Sequence, residues 1–170
     1  AFNNIKYLFS LVNDDISQSP LSSLRESIEK YKNPDYFSDQ FKENINSANQ
    51  LFLTWLKCVN EEDGELILKN VENNLLCDFG VLSIAKNDPK FDLHGYHNGA
   101  VWPLLTELLI GSAFNYGDIN LGIKAVDILS KNIGMQCEAR INEIIQMDGR
   151  PVGCPDQAWS IAMLPYIMEK

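Results

Sequence analysis

The chain has 170 residues, 45% apolar and 22% charged, which suits one soluble globular domain able to bury a core without disulfides or metals. With 14 Lys and Arg against 23 Asp and Glu the net charge is −9, and that excludes a nucleic-acid binder, because phosphate neutralisation needs clustered cations. Cys58, Cys77, Cys137 and Cys154 form no CxxC pair and read as reduced thiols of a cytoplasmic protein. No stretch reaches the length of a membrane span, and no leader pattern precedes a cleavage site, so membrane partners are not expected. The chain starts at Ala1 without methionine, as expected of a processed chain or of part of a longer polypeptide.

In chain order, Phe2, Ile5, Leu8, Phe9 and Val12 keep the spacing of an amphipathic helix. Ser19-Pro20 supplies an N-cap followed by proline at the first helical position, predicting a helix to about Tyr31. Between Asp39 and Val59, the residues Phe41, Ile45, Ala48, Leu51, Phe52, Trp55 and Leu56 predict a longer helix. Leu66, Ile67, Val71, Leu75 and Leu76 continue the same period to Cys77.

From Asp78 to Gly99 the period is lost and Gly80, Pro89, Gly95 and Gly99 punctuate a long loop, with a short extended piece at Val81-Ile84. A loop of that length in a compact domain is commonly functional. Pro103 opens a helix to about Asn115, and Asp118 caps another ending near Gly134. After a polar loop carrying Glu138 and Glu143, a last helix runs from about Asp156 to Met168, with a kink expected at Pro165. The fold class read from this is all-α, six to seven helices, with no convincing strand pattern.

Two stretches carry candidate chemistry. Gly95 to Pro103 (GYHNGAVWP) concentrates the groups that bind sugars: an indole face for the apolar face of a pyranose, with imidazole and amide groups for its hydroxyls. The residues alone leave open whether Trp102 is simply core. In the second stretch, Cys137 to Ser160, Glu143 is flanked by Ile141, Ile144 and Ile145, neighbours expected to desolvate it and raise its pKa. His94 and His97 lack a third ligand at metal-binding spacing, and no cysteine has an activating context, so neither metal nor cofactor is expected.

YHNGAVWP at 96–103, NEI at 142–144 and GCPDQAWSIAML at 153–164 together resemble the C-terminal half of glycogen-debranching enzymes, the amylo-α-1,6-glucosidases related to glucoamylase. Asn49-Gln50, Phe79-Gly80-Val81 and Asn87 to Phe91 extend the likeness, which covers roughly residues 40 to 168. The resemblance implies that residues 1–170 form about half of an (α/α)6 barrel whose active site lies in the loops at one end. It also implies inverting hydrolysis of α-1,6-linked glucose at glycogen or starch branch points, so that the partner is an α-glucan. By position, Glu143 matches the family's general base; Tyr96, His97, Asn98 and Trp102 would line the glucose pocket, with Gln157 and Trp159 supporting it.

The sequence departs from the family pattern in three places. The family's general acid, an aspartate in a Trp-Met-Asp type motif, has no counterpart here, since no tryptophan precedes Trp55; the expected partner is therefore an upstream half of the same catalytic domain. Ser47-Ala48 stands where the family has Arg-Pro, and the segment from Glu143 to Gly153 is about two residues shorter than the family's. A non-catalytic glucan-binding module derived from the same fold is the alternative that these departures favour.

Overall fold

The computed structural model describes residues 25–40, 43–135 and 140–168. The predicted helix at Phe2–Val12, most of the helix from Ser19, and both Cys137 and Glu138 lie outside the described residues. Residues 25–29 are helical, consistent with the end of the second predicted helix.

The predicted helix from Asp39 to Val59 is corrected by the structure. Helix begins only at a 3-10 turn, Ala48–Gln50, which continues as α1 (Leu51–Trp55). Upstream, the backbone is recruited into long-range pairing within the chain: Ala85 donates to the Asn46 carbonyl at 2.9 Å and Ala48 donates to that of Ser83 at 2.9 Å. Ser47 is extended, at φ −115° and ψ 158°, and its hydroxyl caps the Asn49 N–H. Ile45 is buried as the apolar period requires, but from extended backbone; long-range pairing outweighs local helical propensity here.

Asn60 caps α2 (Glu61–Asn70) by accepting from the Asp63 N–H at 2.8 Å, and the acidic Glu61-Glu62-Asp63 suits the positive end of the helix dipole. The chain then widens into one π-helical turn, Val71–Leu75, and enters a short ladder of β1 (Leu76–Cys77) and β2 (Gly80–Val81). Helical periodicity up to Cys77 thus ends in strand, and β2 is the start of the extended piece expected in the long loop.

α3 (Pro103–Asn115) and α4 (Ile119–Met135) match their predicted spans. Proline sits at the start of α3, where its missing N–H has no helical partner to lose. Asp118 accepts from the Leu121 N–H at 3.1 Å, as its capping role requires. A hairpin of β3 (Ile144–Ile145) and β4 (Pro151–Val152) replaces the expected irregular loop, and α5 (Ala158–Met168) follows, running on past Pro165. The described part is mostly helical, as read from the sequence, with two short ladders that alternation over two residues could not reveal.

α3 is the centre of the packing, against α1 on one side, α5 on another, and α4 as the returning helix. Leu105, Leu108, Leu109, Ile110 and Ala113 are buried around its whole circumference. Its polar positions answer specific partners: Thr106 Oγ1 accepts from the Val81 N–H at 3.0 Å, and Ser112 Oγ accepts from Thr54 at 2.8 Å. α2 meets the end of α3 through Tyr116, whose ring lies so close that a Cβ on Gly64 would stand 2.0 Å from Cε1. The Tyr116 hydroxyl donates to the Val59 carbonyl at 3.0 Å, and burial pushes the phenol up to about 12. α1, α3 and α5 therefore form one layer and α2 and α4 a second, the alternation of half an (α/α)6 toroid.

Single β-bridges join Ser47 to Ile84, Leu82 to Val101, and Val101 to Ile145. Ser47 precedes α1, Val101 precedes α3, and Ile145 belongs to the hairpin before α5. One line of backbone pairing thus gathers the approaches to three helix starts at one end of the bundle.

Candidate active site

That end carries the sequence-predicted residues. Val101 and Ile145 exchange both backbone hydrogen bonds, each 2.9 Å, which ties the hairpin bearing Glu143 to the segment bearing Tyr96, His97 and Trp102. In the hairpin Ile144 and Ile145 are both buried, while Glu143, one residue earlier, stays partly exposed.

Glu143 is held by its own hairpin. Its N–H donates to the Cys154 carbonyl at 3.0 Å, and its Oε2 accepts from the Cys154 N–H at 3.1 Å. The Tyr96 hydroxyl also donates to the carboxylate, as does the Gln157 side chain. These bonds, that from Tyr96 first, then that from Cys154, hold the carboxyl below its usual range, with the charge of His97 adding to the effect. The expected rise from isoleucine neighbours is corrected: the desolvation is present but smaller than the hydrogen bonding to Tyr96 and Cys154. The same bond to Glu143 raises the Tyr96 phenol.

Tyr96, His97 and Trp102 form one aromatic corner. The Tyr96 ring stands edge-on to His97 at 4.8 Å between centroids and edge-on to Trp102 at 5.3 Å, while His97 and Trp102 lie nearly parallel at 6.2 Å. Trp102 is only partly buried, so it is not simply core. Gln157 joins the site through its bond to Glu143, and its backbone N–H donates to the Ile141 carbonyl at 2.9 Å.

Two predicted residues stand differently. The Asn98 side-chain amide donates to the Lys90 carbonyl, and the Asp92 N–H donates to the Asn98 carbonyl at 3.1 Å, so Asn98 closes the 90–98 loop on itself. Lys90 in turn pairs with Glu43 at 2.5 Å, anchoring that loop to the segment before α1. Trp159 is 48% exposed on α5 and makes no ring contact with the aromatic corner among the described residues. Asn49-Gln50 lies elsewhere: Asn49 donates to Asp39 at 2.8 Å, and buried Gln50 bonds to Asn46, Ser47 and Phe37. Sequence reasoning missed the Gly153-Cys154 turn as a holder of Glu143, although Gly-Cys stood within the motif it quoted.

An ionised carboxylate with three hydrogen-bond donors beside an open aromatic wall can orient a water molecule or a sugar hydroxyl and accept its proton. Among the described residues no helix is long and apolar enough to cross a membrane.

No curated protein matches the chain. Among solved structures it is similar to the GH63 mannosylglycerate hydrolase from Thermus thermophilus in complex with glucose, at TM-score 0.60 and 14% identity over 74% of this chain and 32% of that one. It is also similar to an uncharacterized conserved protein from Thermus thermophilus, at TM-score 0.57 and 17% identity over 74% of this chain and 31% of that one. The chain therefore spans about a third of these structures, and at such identity the likeness is one of fold. The family model for amylo-alpha-1,6-glucosidase matches residues 4–165. With nearly the whole chain matched, this protein belongs to the amylo-alpha-1,6-glucosidase family.

Proposed function

We propose that this chain is the C-terminal half of a cytoplasmic glycoside hydrolase domain that cleaves α-1,6-linked glucose from a branched α-glucan with inversion. The observation that carries the reading is the state of Glu143. Its carboxylate is kept ionised by Tyr96, Cys154 and Gln157 and stands beside the Tyr96–His97–Trp102 corner. In inversion, one carboxylate takes a proton from water as the water oxygen bonds to the anomeric carbon. A carboxylic acid on the opposite face protonates the leaving oxygen as the glycosidic bond breaks. Glu143 is the group for the first role, and the aromatic corner provides faces on which a glucose ring can stack.

The second role falls to an upstream half of the same domain. Phe52 on α1 is 39% exposed, and Trp159 and Ile161 on α5 are 48% and 43% exposed. These residues lie on the two outer members of the α1–α3–α5 layer, the edges where further helices of a closed barrel would pack. Free thiols at Cys58, Cys77 and Cys154 accord with a cytoplasmic setting.

In the complete enzyme, Glu143→Gln is expected to abolish release of glucose from a branched maltooligosaccharide while substrate binding survives. Near wild-type turnover by that variant would refute the assignment. A second reading, a glucan-binding module without catalysis, is favoured by one observation: the Tyr96–His97–Trp102 corner forms from residues of this chain alone. Glucan affinity that survives Glu143→Ala, in an assembly showing no turnover, would select it.

A further inference from the structure

The Gly153-Cys154 turn meets Glu143 through main-chain atoms. Gly153 has φ +82°, and a Cβ built there would lie 2.7 Å from Glu143 Oε2 and 2.9 Å from Glu143 Cβ. The next residue, Cys154, both donates its N–H to Oε2 at 3.1 Å and accepts from the Glu143 N–H at 3.0 Å. The ladder pairing Ile144 with Val152 fixes the register that brings these groups face to face. Backbone, not side chain, therefore makes the contact, and it does so at a separation that leaves no room for a methyl group.

We infer that Gly153 and Cys154 form a backbone clamp that positions the Glu143 carboxylate, and that Gly153 is a positioning residue because any β-carbon at this site would displace that carboxylate. The inference deepens the proposed hydrolase reading: the clamp fixes Oε2 and with it the orientation of the carboxylate that would take the proton from water. It differs from an ordinary glycine requirement, in which only the left-handed backbone matters. Asparagine tolerates that backbone yet carries a β-carbon, so the two explanations separate.

The test uses the full chain labelled with 15N-cysteine, with the Cys154 amide identified through Cys154→Ser. A backbone N–H that donates to a carboxylate moves downfield as the carboxylate ionises. In the wild type the Cys154 amide is expected to follow one titration with its midpoint below the ordinary carboxylate range, a step that Glu143→Gln removes. Gly153→Ala and Gly153→Asn are both expected to lose that step while the Cys58 and Cys77 amides stay in place. Persistence of the step in Gly153→Ala would overturn the clamp. Loss in Gly153→Ala with retention in Gly153→Asn would reduce the glycine to a backbone requirement and overturn it equally. Should Gly153→Ala fail to fold, Gly153→Asn, which tolerates the left-handed backbone, decides alone: loss of the step supports the clamp and its persistence refutes it.

Carried into the complete enzyme, Gly153→Asn is expected to lower kcat about a hundredfold with KM little changed. If the amide titration is lost yet kcat holds, the clamp stands and Glu143 is not the base. If the titration is retained, the clamp fails whatever Glu143 does.

Discussion

α3 and α5 are both apolar around most of their circumference, yet they stand in opposite surroundings. On α3 every residue from Leu105 to Ala113 is buried, including Thr106, Glu107 and Ser112. On α5 Ser160 is buried, but Trp159 and Ile161 face outward. Helices apolar on all sides are normally enclosed. The contrast shows that burial belongs to the neighbours a helix has rather than to its own composition. α3 has α1, α4 and α5 around it, whereas among the described residues α5 packs chiefly against α3.

Four substitutions test that contrast in the chain itself. The largest effect is expected in the enclosed helix: Leu109→Ala should cost about 2–5 kcal/mol in chemical denaturation, because surrounded positions cannot collapse onto a cavity. Next comes a gain. Glu107 is fully buried on α3, and neither of its oxygens has a hydrogen-bond partner among the described residues. Glu107→Leu is expected to stabilise the chain by about 1–3 kcal/mol at neutral pH, the usual cost of an unpaired buried polar group. A loss on replacement would mean the carboxyl has a partner that sustains it.

The pH dependence has a definite sign. Burial alone pushes the Glu107 carboxyl up to about 9, so the folded chain holds this proton over a range in which the unfolded chain has released it. Stability from this group is complete below the ordinary glutamate pKa, falls as pH rises through the interval, and is exhausted above about 9. No neighbouring charge contributes: loss of hydration is the whole cause of the rise. Glu107→Gln should flatten the decline of melting temperature between neutral and alkaline pH. An unchanged slope would assign the decline elsewhere.

The smallest effect belongs to the open helix. Ile161→Ser should change the stability of the chain by no more than about 0.5 kcal/mol, as exposed positions generally do. The same substitution should weaken association with an upstream half, measured by titration calorimetry. Equal binding by wild type and variant would place the seam on another face.

The elements that could be read from the sequence were those whose signals are local. Pro103, Asp118 and the 3.6-residue spacing fixed α3 and α4 to within a residue, because proline geometry and capping act within one turn. Residues 44–47 could not be read, since what holds them extended are the carbonyl and amide groups of Ser83 and Ala85, some forty positions away. For the site, Tyr96, His97, Trp102, Glu143 and Gln157 lie together, while Asn98 serves its own loop and Trp159 makes no ring contact with them among the described residues. The ionisation of Glu143 was misjudged because the sequence shows the isoleucines beside it and hides the donors that reach it from Tyr96 and Cys154. Glu107 did leave a visible trace, a lone charge inside the apolar run WPLLTELLI.

The line of bridges from Ser47 through Ile84, Leu82 and Val101 to Ile145 bears on how such a site is inherited. Main-chain pairing recognises no side chain, so the frame beneath the site does not depend on which residues occupy those positions. Lineages can exchange nearly every letter there and still hand down the same arrangement of helix starts. A chain sharing 14% of its residues with a structural neighbour can thus keep that neighbour's fold. Proline is the one residue such a frame cannot absorb, at Ser83, Val101 or Ile145, each of which donates its N–H to the pairing.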